Sequence, residues 1–395
     1  MKTERIILYM VLALAIPIIA NIISPGVVGM PKLISGLILA YLAYCLYMSH
    51  QYEELNGIIY IKVWIWLLVI GSIRAFFLNY SSFTGLRDSL LSLLNICLLL
   101  SIFLGSACNL KKYLSCFQIV MIPCAVFSAL YWKSYGTSDV AHILYPISLF
   151  VLLLPYVGKR QKMIIVAIAI FSIFYDVSIR SNILLLFGSF LLLIVYYFSR
   201  YDIVLKWRSL ILSIFFALPL TLFFLGVTGK YNVFKELMSS DIQIEVSGSK
   251  NRDNYLTDSR TMVYFDVLTS MDGIKGWVLG YSPVSKIKTQ MAKSNSAYKK
   301  GRASTECGFL NTLFQYGILG VLCLFSLIAY SSYLGLFASN NKLAMLIGAF
   351  VAYKFFFMFI EEPNISATTY FAIGLCLNPN FRGMSEEQLK EIFNT

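Results

Sequence analysis

The sequence predicts an all-α, polytopic integral membrane protein of about twelve transmembrane helices with one long periplasmic loop. Composition is the first reason. Hydrophobic residues make up 58% of the 395 and charged residues 13%, with a mean hydropathy of +0.73. Periodicity is the second. Apolar runs of roughly 17 to 25 residues recur, each long enough to cross the hydrocarbon core as a helix. A run such as ILLLFGSFLLLIVYYF, from Ile183 to Phe198, lacks the alternation of a barrel strand. The third is the uneven placement of charge: Gly229 to Ser304 holds 12 of the 32 Lys and Arg and 7 of the 20 Asp and Glu.

In chain order the expected spans are 6–23, 31–48, 58–78, 89–107, 113–132, 143–157, 163–179, 181–199, 209–228, 308–330, 342–360 and 365–377. This divides the chain into an N-terminal bundle of about nine helices (1–228), the loop (229–304) and C-terminal helices with a short tail (305–395). The first run has no small-residue cleavage site and further spans follow at once, so it reads as a span and not as a signal peptide. The last span is short, and the junction at Arg180 is tight enough for the seventh and eighth spans to form one broken hairpin.

Lys and Arg set the orientation. With Lys2 and Arg5 in the cytoplasm, alternate loops carry Lys111, Lys112, Lys159, Arg160, Lys162, Arg200, Lys206, Arg208 and Lys342, and the tail adds Arg382 and Lys390. The opposite short loops hold only Lys32, Arg87, Lys133 and Arg180. The long loop therefore lies outside, and both termini are cytoplasmic.

The formal charge of +12 mostly reflects this bias, so nucleic acid is not an expected partner. The cysteines lie within spans or near the cytoplasmic face except Cys307, no CxxC pair occurs, and the two histidines, His50 and His142, are far apart. Neither a disulfide framework nor a metal site is expected. No glycine-rich phosphate loop follows a strand, and no cofactor is expected.

In the loop, Asp258-Ser259-Arg260 opens an amphipathic helix with Val263, Val267 and Met271 on one face beside Tyr264 and Leu268; Gly273 is expected to end it. Arg260 falls in the first turn, where a cation opposes the helix dipole but suits a phosphate held by free backbone N–H groups. A glycine-punctuated turn follows, Gly276-Trp277-Val278-Leu279-Gly280-Tyr281-Ser282-Pro283. The basic run Lys286, Lys288, Lys293, Lys299, Lys300 and Arg302 is either a solvated face, a contact with anionic headgroups, or an attractor for an anionic substrate. The chain re-enters the membrane through Ser304-Thr305-Glu306-Cys307-Gly308, where Glu306 either caps the next helix or acts as a general base at the membrane boundary.

Other charges fall near the same side: Arg180 with Asp176, Arg74, Arg87 with Asp88, Asp139 and His142, Lys354, and Glu361-Glu362. A guanidinium is suited to phosphate oxygens and stays charged when partly buried.

The order of these features is a Ser178-Ile179-Arg180 junction, an Arg260-bearing helix, the Gly276–Gly280 turn, and a helix reading Gly308-Phe309-Leu310-Asn311 through Tyr316-Gly317-Ile318-Leu319-Gly320. It resembles the O-antigen polymerase and ligase superfamily, that is, Wzy-type polymerases and their ligase relatives. The resemblance extends over the whole topology, with its degenerate motifs in 176–322. It implies a metal-independent glycosyltransferase of the Gram-negative inner membrane, using undecaprenyl-diphosphate-linked oligosaccharide repeat units at the periplasmic face in lipopolysaccharide biosynthesis. The family's two principal arginines fall on Arg180 and Arg260. In the ligase branch a His-Asn pair stands before the last of these helices. Glu306-Cys307-Gly308 stands there instead, which favours the polymerase over the ligase and leaves the base role of Glu306 open.

On this resemblance Arg180 and Arg260 bind the diphosphate, Glu306 accepts the acceptor's proton, and Arg87, Arg74, Tyr264, Trp277 and Tyr281 complete the substrate-binding set, with Tyr298 a further aromatic for stacking. Membrane lipid and a chain-length-regulating, Wzz-like co-polymerase are the other expected partners. The alternatives are an O-antigen ligase, and a lipid-linked oligosaccharide flippase or other transporter, although no internal repeat of the kind transporters carry is evident.

Overall fold

The computed structural model describes residues 3–23, 29–48, 55–79, 83–130, 144–175, 180–198, 201–227, 259–289, 301–302, 305, 307–359 and 366–394. Among the described residues every regular element is helical, and the one β interaction is an isolated antiparallel bridge between Ile287 and Arg302. Among the described residues four helices are long and apolar enough to cross a membrane: Ile58–Leu78, Gly85–Leu104, Trp207–Leu225 and Gly308–Phe337. Shorter apolar helices include Arg5–Ile16, Ile34–Leu46, Asn182–Val195 and Ala367–Leu377. The chain is an all-α membrane protein.

The N-terminal elements are α1 (Thr3–Ile23), α2 (Gly29–Met48), α3 (Ile58–Asn79), α4 (Phe83–Ser92), α5 (Leu94–Leu99) and α6 (Ala107–Leu130). They continue with α7 (Ile147–Phe150), α8 (Lys159–Tyr175), α9 (Arg180–Phe198) and α10 (Tyr201–Val227). The loop contributes α11 (Ser259–Ser270) and α12 (Gly273–Leu279). After it come α13 (Gly308–Phe337), α14 (Lys342–Phe357), α15 (Ala367–Leu377), α16 (Pro379–Gly383) and α17 (Glu386–Asn394).

Two expected spans are not uniform helices. The run at 89–107 is divided among the end of α4, α5 and a 3-10 segment, Leu100–Leu104. The run at 143–157 holds only α7 and a 3-10 turn, Val151–Leu153, between Pro146 and Pro155. Irregular backbone at membrane depth is stable only where protein surrounds it, and residues 147–153 are all buried. The 3-10 segment of the other run is pressed against α15: a Cβ on Gly374 would stand 2.0 Å from the Ile102 carbonyl oxygen, and one on Gly105 2.2 Å from the Gly374 carbonyl carbon. Lipid supplies no hydrophobic drive between helices, so such backbone contacts and interhelical hydrogen bonds carry the association. Trp64 Nε1 donates to the Tyr370 hydroxyl at 3.0 Å, Tyr113 and Thr368 share a 2.9 Å bond, and Ser101 donates to the Ala367 carbonyl at 2.9 Å.

The tail is more organised than expected. The Asn341 side chain caps α14 by accepting from Ala344 N at 2.7 Å and also donates to the Phe381 carbonyl at 2.9 Å. Glu386 of α17 accepts from the Lys342 backbone N–H at 2.5 Å and from the Tyr156 hydroxyl at 2.9 Å. Lys111 donates to the Ile392 carbonyl, and Arg382 to that of Ala338. Burial lowers the Arg382 pKa from its usual value. Lys111, Lys342, Arg382 and the tail thus gather at one end of the bundle.

Candidate functional site

At the opposite end, the last turns of α14 form a hub. Tyr353 donates its hydroxyl proton to the Leu184 carbonyl of α9 at 2.6 Å, and the α9 backbone is close enough there that a Cβ on Gly188 would meet the Tyr353 ring at 2.3 Å. One residue on, Lys354 is only 4% exposed. Its ammonium lies 3.9 Å from the ring centre of Tyr145, 5.3 Å from that of Phe350 and 5.6 Å from that of Phe357. Aromatic faces attract a cation, and a lysine in the last turn complements the helix dipole.

Beyond Lys354, the Met358 carbonyl accepts from Phe309 N at 3.0 Å, joining the end of α14 to the start of α13 with opposed dipole ends together. The Cys307 thiol is 3.3 Å from the same carbonyl oxygen. Tyr264 of α11 donates to the next carbonyl, Phe359, at 3.1 Å. Phe309 and Phe359 stack at 4.2 Å, and Phe223 of α10 meets Phe309, Tyr264 and Phe359 edge-on.

The re-entry segment is held by an amide. Thr305 N donates to Asn311 Oδ1 at 2.7 Å, Asn311 Nδ2 donates to the Thr305 carbonyl at 3.0 Å, and the Thr305 hydroxyl bonds the Cys307 carbonyl at 2.8 Å. Asn311 is 1% exposed. These bonds fix the residues on either side of Glu306.

Of the expected catalytic residues, Glu306 lies outside the described residues. Arg180 and Arg260 are described by their backbone alone, as the first residue of α9 and the second of α11. Asp139, His142, Asp176, Tyr298, Glu361 and Glu362 also lie outside them. The backbone nevertheless brings the three motif-bearing elements together. Leu184 is one turn after Arg180, Tyr264 one turn after Arg260, and Cys307 adjoins Glu306; Leu184 bonds Tyr353 in the last turns of α14, and Cys307 and Tyr264 bond the Met358 and Phe359 carbonyls just past its end.

The remaining expected residues stand elsewhere. α11 ends at Ser270, ahead of Gly273, which instead opens α12 with φ 68°. Gly276-Trp277-Val278-Leu279, expected as a turn, is helical. The turn falls at Gly280, whose φ of 68° and ψ of −173° only glycine adopts readily. It packs on Gly317, where α13 breaks with φ 68° and ψ −167°. A Cβ on Gly317 would lie 2.3 Å from the Val278 carbonyl oxygen. Gly317, part of the motif that opens this helix in the sequence, thus divides α13. The break is closed by Tyr281 N donating to the Phe314 carbonyl at 2.8 Å, with the two rings stacked at 5.1 Å.

Arg74 clamps this joint, donating to the Leu279 carbonyl at 2.9 Å and to that of Gly280 at 2.5 Å. A guanidinium on the last carbonyls of a helix also meets the negative end of its dipole. Tyr281 exchanges two hydrogen bonds with the Asp272 backbone, at 2.6 and 3.1 Å, and Trp277 packs partly buried on the core. Arg87 pairs with its neighbour Asp88 at 2.8 Å on an exposed surface, a contact worth little. Arg74, Trp277 and Tyr281 thus belong to a structural joint on α12, while Tyr264 belongs to the hub.

Among the described residues no three of His, Cys, Asp and Glu come together as metal ligands. The hub roles of Tyr353, Met358 and Asn311 were not anticipated. Asn311 alone left a signal, as one of two amides, with Gln315, in a largely apolar helix. Compared with protein families, with curated proteins and with solved structures, the chain matches none.

Proposed function

We propose that the chain is a membrane glycosyltransferase, and specifically a polymerase that moves a growing glycan from a polyprenyl diphosphate to the non-reducing end of a new lipid-linked repeat unit. The observation that carries this reading is the hub on α14. The three elements bearing Arg180, Arg260 and Glu306 are far apart in sequence, yet each bonds the stretch from Tyr353, in the last turns of α14, to Phe359, two residues past its end, and Lys354 adds a buried cation to it. An ionisable residue buried in a membrane bundle is by default a functional one. The gathering of Lys111, Lys342, Arg382 and the tail at the other end supports a topology in which the hub faces the periplasm.

In this reading Arg180 and Arg260 hold the diphosphate and stabilise the charge it gains on leaving. The acceptor hydroxyl attacks the anomeric carbon of the donor. A new glycosidic C–O bond forms as the C–O bond to the diphosphate breaks, and Glu306 takes the hydroxyl proton. The polyprenyl diphosphate is released. Arg74 and the Gly280–Gly317 joint act on this chemistry only through the position of α11 and α12.

One observation favours a second reading. The breaks at Gly317 and at Leu100–Leu104 resemble the discontinuous helices of transporters, as a lipid-linked oligosaccharide flippase would have. Complementation of a polymerase-null strain separates the readings. Arg180→Ala, Arg260→Ala and Glu306→Ala are each expected to insert normally and to leave a single repeat unit on the lipopolysaccharide core in place of a ladder. A full ladder from all three sinks the catalytic assignment. Repeat units trapped in the cytoplasmic leaflet indicate flipping, and loss of all core-linked glycan indicates ligation.

A further inference from the structure

The short helix α12 presents a greasy edge to its surroundings. Ile274 is 83% exposed, Val278 38% and Leu279 48%. Such an edge is anomalous for a loop in water but ordinary for a helix lying in a membrane interface.

Its position supports the second setting. The Leu279 and Gly280 carbonyls are held by Arg74, five residues before the end of α3, or about 7.5 Å back along that helix. The same stretch abuts Gly317. Past that break α13 continues as residues 318–337, a length of about 30 Å that matches the hydrocarbon core. Ile318, Leu319 and Leu322, at the head of this membrane half, are exposed. So are Phe76, Phe77 and Leu78 at the end of α3. The apolar edge of α12 is therefore continuous with surfaces that face lipid.

Around this edge lie lysines. Lys275 is exposed within α12, and Lys286 and Lys288 are exposed on the segment that follows. Among the described residues Lys288 pairs with Asp272 at 3.4 Å with side chains 79% and 71% exposed, leaving the ammonium accessible to other anions. The bridge between Ile287 and Arg302 holds this basic segment in place.

We infer that α12 is an interfacial helix seated in the headgroup boundary of its leaflet, and that its partner there is anionic phospholipid. Ile274, Val278 and Leu279 enter the acyl region, and Lys275, Lys286 and Lys288 engage the lipid phosphates. This part of the loop thereby rests on the membrane, whatever reaction the hub performs.

The test uses the full-length protein in nanodiscs of mixed phosphatidylglycerol and phosphatidylcholine, with a genetically encoded environment-sensitive fluorophore at position 274. One lipid at a time carries bromine, a short-range quencher. At equal mole fraction, brominated phosphatidylglycerol is expected to quench about threefold more strongly than brominated phosphatidylcholine. The combined variant Lys275→Ala, Lys286→Ala, Lys288→Ala is expected to bring that ratio to about one while quenching itself persists. Absence of quenching by either lipid overturns the interfacial seat. Equal quenching by the two headgroups in the wild-type protein overturns the anionic partner.

Discussion

Arg74 illustrates how a residue's chemistry can be read correctly and its partner missed. The sequence marks a guanidinium near the outer end of a span and suggests a planar donor seeking oxygens. The oxygens it finds are the Leu279 and Gly280 carbonyls, and no pattern in either segment announces the pairing across more than two hundred residues. Hydrogen bonds to a charged group contribute about 1.5–3 kcal/mol each. Arg74→Ala is therefore expected to lower the melting temperature of the detergent-solubilised protein and to speed proteolysis at 280–289. Arg74→Lys restores only part of the loss, because an ammonium cannot fork onto two carbonyls as a guanidinium does. Melting and limited proteolysis of the two variants check this; equal stability of Arg74→Ala and wild type contradicts it.

At the scale of elements, the uninterrupted helices were legible because a run of apolar residues is both the signal and the physical requirement for a span. α14 and α15 begin and end within a few residues of expectation. The amphipathic face of α11 was equally legible, with Val263 and Val267 buried on it and Met271 buried just past its end. The breaks were not. Hydropathy does not distinguish a uniform helix from α7 and its 3-10 turn, since both are apolar; the bundle that surrounds residues 147–153 decides. Gly317 was visible as a glycine, but its positive φ follows from the approach of Val278 and Gly280. Gly317→Ala would put a Cβ into the Val278 carbonyl and force alanine into a left-handed conformation, together about 3 kcal/mol. A fall of several degrees in melting temperature is expected, and an unchanged value shows that α13 can straighten without loss.

For the whole molecule, the sequence marked Arg180, Arg260 and Glu306, whose neighbours in the chain meet at the hub, but not the hub itself. Tyr353, Met358 and Phe359 contribute a hydroxyl and two backbone carbonyls, groups that leave no motif. The organised tail was also hidden, because α17 is short and polar, and its buried Leu389 and Phe393 need the bundle to cover them. Removing residues 385–395 takes away the Glu386 bonds to Lys342 and Tyr156 and the Ile392 bond to Lys111. Size-exclusion profiles of this truncation are expected to show loss of the monodisperse protein. A truncated chain as stable as the full one argues that the tail is an accessory and not a clasp.

The proposed assignment makes one polymerising site of the elements that meet at the end of α14. It is tested most directly with purified protein and the lipid-linked repeat units that accumulate in host cells lacking this gene. Products of two or more units are expected, with one polyprenyl diphosphate released per linkage and both lost in Arg260→Ala. Repeat units left single by an intact, folded wild-type protein would contradict it.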